Sequence, residues 1–230
     1  MSKKPNAPVP AAIPVKRRQV LLVDDHPLMR AGLAQLIDRQ ADLEVCAEAG
    51  DTVEASRALT RVRPDLILTD ITMPGRSGFE FIKDRIASNP GTLILVVSMH
   101  DEVVYAERAL RAGARGYVMK EAGGENLLAA IRQVLAGQVY LSAKMSSKIL
   151  DDLSARRPRG SASPIERLSD REFEVFQLVG LGKSTKDIAS QLHLSPKTVD
   201  VHRAHIREKL QLPDSSALMR YAIRWVETQI

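Results

Sequence analysis

Between Gln19 and Gln138, short β-branched apolar runs alternate five times with amphipathic stretches, and this restricts the fold more than any other feature of the chain. The pairs are QVLLV with Pro27 to Arg39, LEVCAE with DTVEASRALTRV, DLILT with GFEFIKDRIA, TLILVV with EVVYAERALRA, and GYVM with GENLLAAIRQVLAG. Each pair reads as a strand followed by a helix. The runs are apolar at consecutive positions, so both faces of each strand must be covered. A parallel sheet sandwiched between helices does this. The expected fold class is α/β, a doubly wound five-stranded parallel sheet over residues 19–138.

The pattern breaks after Tyr140. SAKMSSKILDDL has the spacing of a short helix, whereas SARRPRGSASP has no apolar periodicity and is rich in Ser, Arg and Pro, so 139–164 is read as a linker. Residues 165–230 form a small all-helical domain of four amphipathic segments. The first, SDREFEVFQLVGLG, has a capping box of Ser169 and Glu172. TKDIASQLH follows, then SPKTVDVHRAHIREKL with Ser195 as N-cap and Pro196 in the first helical position, then DSSALMRYAIRWVE with Asp214 as N-cap. At the other end, 1–18 is broken by Pro5, Pro8, Pro10 and Pro14 and closes on Lys16-Arg17-Arg18. That order is the reverse of a secretory signal, and the segment reads as a disordered basic tail.

Charge is unevenly spread. Residues 19–140 hold 13 basic and 17 acidic groups, whereas 166–230 hold 10 and 9. The helical end is not a generic polycation, and nucleic-acid binding there must come from placed groups. No run of about 18 apolar residues exists to cross a bilayer. The single Cys46 has no internal disulfide partner and reads as a small core hydrophobe, which suits a cytoplasmic location.

Ligands of open α/β sheets bind outside the carboxyl ends of the strands. The residues just past the apolar runs are Asp24 and Asp25, then Asp70, Ser98 and Lys120. Three carboxylates, a hydroxyl and an ammonium therefore converge on one edge. Crowded carboxylates need protonation or a compensating cation, and Mg²⁺, which takes oxygen ligands and retains water, suits Asp24, Asp25 and Asp70. One carboxylate is then placed to attack phosphorus while Lys120 neutralises charge on the transferring oxygens, giving an aspartyl phosphate.

The motifs VLLVDDHPLMR, LILTDITMPGRSG, VVSMHD and GARGYVMK, in this order and spacing, resemble the receiver domain of two-component response regulators, a flavodoxin-like fold, over residues 19 to 138. The resemblance implies that Asp70 is the phosphoacceptor. It also implies that Asp24, Asp25 and the carbonyl of Thr72 join Asp70 around Mg²⁺, that Lys120 pairs with the phosphoryl group, and that Ser98 and Tyr117 are the switch pair. In that family the positions of Thr72 and His100 flank the path of attacking water, and His100 is bulky enough to slow hydrolysis.

LSDREFEVFQLVGLGKSTKDIASQLHLSPKTVDVHRAHIREKLQL resembles the LuxR-type helix-turn-helix, and joined to a receiver it resembles the NarL/FixJ subfamily of transcriptional regulators. TKDIASQLH buries Ile188, Ala189 and Leu192, HLSP turns the chain, and the helix from Pro196 to Leu210 offers its N-terminal end to DNA, with Val199, Ile206 and Leu210 inward. By resemblance Asp200, Val201 and Ala204 face the bases, while Lys197, Thr198, His202 and Arg203 reach phosphates or flanking edges. Many relatives carry a basic residue where Asp200 stands. Asp accepts from cytosine N4 but repels phosphate, and its alternative role is an ion pair on the helix. His202 and His205 have metal-pair spacing without a third ligand nearby. Leu218, Tyr221, Ala222 and Trp225 form a stripe that serves as core or as a dimer seam.

The combined expectation is a DNA-binding transcriptional regulator, not an enzyme. A sensor histidine kinase or a small phosphodonor phosphorylates Asp70, and the chain then binds promoter DNA as a phosphorylation-dependent homodimer. The rivals are a Mg²⁺-dependent phosphotransferase and a phosphorylation-independent DNA binder whose receiver only dimerises.

Overall fold

The computed structural model describes residues 17–73, 76–154 and 164–228. The first sixteen tail residues, the turn at Pro74 and Gly75, and the Arg/Ser-rich part of the linker lie outside the described residues. Five strands, β1 (Arg18–Val23), β2 (Leu43–Ala49), β3 (Leu66–Thr69), β4 (Ile94–Ser98) and β5 (Gly116–Met119), alternate with five helices. These are α1 (Pro27–Asp38), α2 (Thr52–Ala58), α3 (Gly78–Ser88), α4 (Glu102–Ala112) and α5 (Gly124–Leu135). All strand pairings are parallel, in the order β2-β1-β3-β4-β5. Arg18, assigned to the tail from sequence, instead opens β1.

The strands have the expected reason to be apolar on both sides. Leu21, Val23, Ile67 and Val96 face the core on one side of the sheet, while Val20, Leu22, Leu66, Leu68 and Leu95 face that on the other. Cys46 sits half-buried in β2 as a free thiol. The strand order reverses between β1 and β3, which opens a crevice at the carboxyl ends of these two strands.

The short helix that SAKMSSKILDDL predicts is present in the linker. This is α6 (Ala143–Ser154), which is tied to α4 through the Ser142 amide donating to Glu102 Oε1 at 2.8 Å, with Met145 buried. Beyond it lie α7 (Asp170–Gly180), α8 (Thr185–Gln191), α9 (Pro196–Lys209) and α10 (Ser215–Glu227). The caps read from sequence are present. Ser169 and Glu172 form the capping box of α7, Ser195 accepts from the Thr198 amide, and Asp214 accepts from the Ala217 amide. At Gly180 an added Cβ would lie 2.6 Å from the Ala222 carbonyl, so α7 and α10 cross where only glycine fits.

Helix α7 departs from the amphipathic reading. Every residue from Asp170 to Val179 is buried, the charged ones included. A helix buried all round must be enclosed, and α7 is: α9 and α10 pack on one side, and α3 and α4 of the α/β unit contact the other. The aromatic chain Phe79, Tyr105, Phe173, Trp225 runs through this contact, with Tyr105 meeting Phe173 edge-on at 5.5 Å.

Candidate functional site

At the crevice, β3 delivers Asp70 into a pocket where it is 4% exposed. Its Oδ1 accepts from the amides of Ile71 (2.6 Å) and Thr72 (3.3 Å), and its Oδ2 accepts from Lys120 Nζ at 2.6 Å. Lys120 also reaches Asp24 Oδ2 at 2.7 Å, with its side chain 1% exposed. Burial alone would lower the lysine pKa, but the flanking carboxylates of Asp70 and Asp24 raise it above the usual value, so the ammonium persists. Gly78 permits this packing: a Cβ there would stand 2.4 Å from the Asp70 carbonyl oxygen.

Asp24, Asp25, His26 and Asp70 place one ligand atom each within 4.8 Å of one another, and this is the one such metal-capable group among the described residues. Asp25 Oδ1 is buried, and the imidazole of His26 is its one close polar neighbour among the described residues. Three carboxylates gathered this closely, two of them nearly fully buried, have the donor chemistry of a hard divalent cation site. His26, which the sequence reading passed over, joins the cluster, with Nδ1 2.9 Å from Asp25 Oδ1 and 3.3 Å from Asp24 Oδ1. Its signal was available in the triplet Asp24-Asp25-His26.

The remaining residues line the same edge. Ser98 is fully buried, and its Oγ accepts from the His100 amide at 3.4 Å. Tyr117 is also buried, its ring already inside, and its hydroxyl donates to the His100 carbonyl at 2.9 Å. Burial pushes the Tyr117 phenol well up. Thr72 Oγ1 and His100 Nε2 are 2.7 Å apart, which ties together the two residues that flank Asp70. Burial lowers the His100 pKa, opposed by Asp70 and helped by Lys120, and so keeps the ring neutral.

In the helical unit Ile188, Ala189, Leu192, Val199 and Ile206 are buried, while Leu210 is only partly so. Lys197, Asp200, Val201 and Ala204 are exposed along one side of α9. Asp200 has no ion-pair partner among the described residues. Thr198 Oγ1 bonds Ser195 Oγ at 2.8 Å, and Arg203 donates to Thr185 Oγ1 at 3.0 Å, bracing α9 on α8. His202 is half-buried with its pKa lowered, chiefly by burial. His205 lies 3.9 Å from Glu172 rather than in a metal-capable group. Leu218, Ala222, Tyr221 and Trp225 pack inward, the last two against Phe176, so this stripe is core in the single chain.

A third set of residues joins the two units, and it was not anticipated. Asp170 accepts from Lys83 at 2.6 Å and Arg108 at 2.9 Å. Arg108 also donates to the carbonyls of Leu168 and Ile165, and its guanidinium stands 4.2 Å over the Phe173 ring. Ser77, the cap of α3, donates to Glu174 Oε1 at 3.0 Å, while Arg171 Nη1 holds the other oxygen at 2.7 Å. Burial raises the Glu174 pKa, opposed by Arg171 and Ser77. Finally, His193 in the turn between α8 and α9 brings Nε2 to 3.3 Å from Asp25 Oδ2. His193 has φ 53°, a left-handed conformation that costs a non-glycine residue about 1 kcal/mol.

Residues 20–132 match the family model of the response regulator receiver domain, and 166–222 match that of the bacterial regulatory proteins of the luxR family. The chain belongs to the two-component response regulators with a LuxR-type helix-turn-helix output; it is a DNA-binding transcriptional regulator and not an enzyme. It is 36% identical over 210 residues to the oxygen regulatory protein NreC of Staphylococcus aureus, covering 90% of this chain and 97% of that one. It also resembles RcsB of Salmonella enterica serovar Typhimurium bound to promoter rprA in the presence of phosphomimetic BeF3-, with TM-score 0.59, 25% identity, and 90% and 98% of the two chains covered. A LuxR-family response regulator from Aurantimonas sp. matches with TM-score 0.57 and 34% identity over 60% of this chain and 99% of that one. The phosphotransferase rival is thereby set aside.

Proposed function

We propose that Asp70 is the phosphoacceptor of a receiver domain spanning about residues 19–138, and that its phosphorylation controls DNA binding by the helix-turn-helix domain at 165–230. One observation carries this reading: Asp70 is buried at the topological switch point with Lys120 on one oxygen and Asp24, Asp25 and His26 beside it. A carboxylate oxygen of Asp70 attacks the phosphorus of a sensor histidine kinase's phosphohistidine or of a small phosphodonor. The bond to the donor breaks, and an acyl phosphate forms. Mg²⁺, when held by Asp24, Asp25, Asp70 and the Thr72 carbonyl, supplies charge neutralisation for the phosphoryl oxygens. Lys120, kept protonated by its two carboxylates, follows the added charge.

Ser98 and Tyr117 are the switch pair of this proposal. Ser98 Oγ exchanges the His100 amide for a phosphoryl oxygen, and Tyr117, already inside, fixes the β4-α4 loop through the His100 carbonyl. On the output side, Asp200, Val201 and Ala204 meet base edges, while Lys197, Thr198, His202 and Arg203 meet phosphates or flanking edges in the major groove. The active species is a homodimer on two half-sites about 34 Å apart. No helix among the described residues is long and apolar enough to cross a membrane, and the proposed location is the cytoplasm, with promoter DNA.

The test is intact mass after incubation with Mg²⁺ and acetyl phosphate. Wild type gains one phosphoryl group and Asp70→Asn gains none. An adduct of the same yield on Asp70→Asn removes Asp70 from the role.

A further inference from the structure

Asp25 faces two claims at once. It is a proposed ligand of the divalent cation, and it is the residue that the helix-turn-helix turn touches. Its side chain is 10% exposed, with Oδ1 2.9 Å from His26 Nδ1 and Oδ2 3.3 Å from His193 Nε2. His193 belongs to the other domain, and the segment that carries it is anchored: the Leu194 amide donates to the Ala189 carbonyl at 2.8 Å, and Arg171 Nη2 donates to the Leu192 carbonyl at 2.7 Å. Arg171 also holds Glu174, which accepts from Ser77 of the receiver. The turn is thus braced to the docked α7 when it presents its imidazole to the acidic pocket. The left-handed backbone at His193 would suit glycine better, so the local fold does not explain a histidine here, whereas the contact does.

We infer that His193 is an interdomain plug of the metal site: the docked helix-turn-helix turn and Mg²⁺ compete for the Asp25 carboxylate, so that the cation alone, before any phosphoryl transfer, weakens docking. This deepens the reading of Asp24, Asp25 and Asp70 as the cation site and rests on it. An imidazole whose Nε2 stands 3.3 Å from Oδ2 cannot keep that position once Asp25 turns to a cation. Linkage then requires reciprocity, so docking lowers Mg²⁺ affinity by the same factor by which Mg²⁺ lowers docking.

The test uses the full chain and three variants. His193→Gly deletes the imidazole and relieves the left-handed backbone, so it preserves the turn. His193→Asn keeps a residue that tolerates this backbone but shortens the reach. Asp25→Asn serves as the control for the site itself. Mg²⁺ affinity is measured by calorimetry without phosphodonor, and docking by amide hydrogen exchange in α7 and by fluorescence of Trp225, the chain's one tryptophan, which packs on Phe173 at the interface. Both His193 variants are expected to bind Mg²⁺ about 5- to 10-fold more tightly than wild type, and saturating Mg²⁺ is expected to raise exchange in wild-type α7. Equal affinity in wild type and both variants overturns the competition while leaving the metal site intact. Absence of Mg²⁺ binding in wild type and variants alike overturns the metal-site reading and, with it, the plug.

Discussion

Replacing Asp170 by Asn is expected to loosen the helical domain from the receiver without unfolding either. The magnitude follows from the exposure of the three groups. The Asp170 side chain is 5% exposed, its partner Arg108 17%, and Lys83 54%. Removing one member of a buried charge pair costs about 3–5 kcal/mol, but the exposed Lys83 arm contributes at most about 1 kcal/mol, and the amide oxygen still accepts from Arg108. The net loss of docking free energy is therefore about 2–3 kcal/mol, a shift of roughly 30- to 150-fold in the docked-to-undocked ratio. Asp170 also opens α7, where its charge favours the helix N-terminus by about 0.5 kcal/mol; that part lowers the stability of the helical unit without bearing on docking. Hydrogen exchange separates the two effects. Amides of α4 and of the receiver-facing side of α7 should exchange faster, while the sheet amides of β1, β3 and β4 keep wild-type protection. Unchanged protection in α4 and α7 would refute the assignment of Asp170 as the main polar fastener.

Glu174 gives docking a pH dependence of defined sign. Its pKa in the docked chain is raised, mainly by burial, with Arg171 and Ser77 opposing and Asp170 adding to the rise; the nearby Tyr105 is itself held neutral. The docked state binds the proton more tightly, so docking is strongest below the ordinary glutamate pKa and weakens as pH climbs through the raised value. Interface exchange measured against pH should show this trend in wild type and lose it in Glu174→Gln. Gly78→Ala places a methyl 2.4 Å from the Asp70 carbonyl oxygen, so the α3 start must move away from the acceptor. A loss of about 1–3 kcal/mol in stability and slower adduct formation from acetyl phosphate are expected, read by denaturant melts and intact mass. His100→Ala removes the ring that bonds Thr72 beside Asp70, so the phosphorylated protein should lose its phosphoryl group severalfold faster; an unchanged decay rate would show that His100 does not hinder water.

Much of the fold was legible because the signals were local. Strands apolar on both faces, such as Leu66 to Thr69, admit few environments other than a covered parallel sheet, and Ser169, Ser195 and Asp214 mark helix starts by side-chain chemistry alone. The acidic site was legible for a related reason, since residues just past the apolar runs must meet at one edge once the sheet is parallel. What escaped depends on contacts between distant segments. Asp170, Glu172 and Glu174 look like the solvated side of α7, but Asp170 and Glu174 meet Lys83, Arg108 and Ser77 of the receiver, and Glu172 is held by Lys209 of α9. The helix of α6 was legible in SAKMSSKILDDL, but its seat on α4 through Ser142 and the buried Met145 was not. His193 reads as one polar residue of a turn, and its proximity to Asp25 depends on how two domains dock. The stripe of Leu218, Tyr221, Ala222 and Trp225 allowed two uses, and packing against α7 selects the core one in the single chain.

The most direct test of the central claim is the affinity of the full chain for double-stranded DNA selected in vitro against the phosphorylated protein, measured by fluorescence anisotropy with Mg²⁺, with and without acetyl phosphate, in wild type and Asp70→Asn. The account predicts that phosphodonor tightens wild-type binding by about tenfold or more and leaves Asp70→Asn unchanged. Equal wild-type affinity in both conditions, with the phosphoryl adduct verified by mass, would contradict phosphorylation control and make the receiver a constitutive dimerisation module.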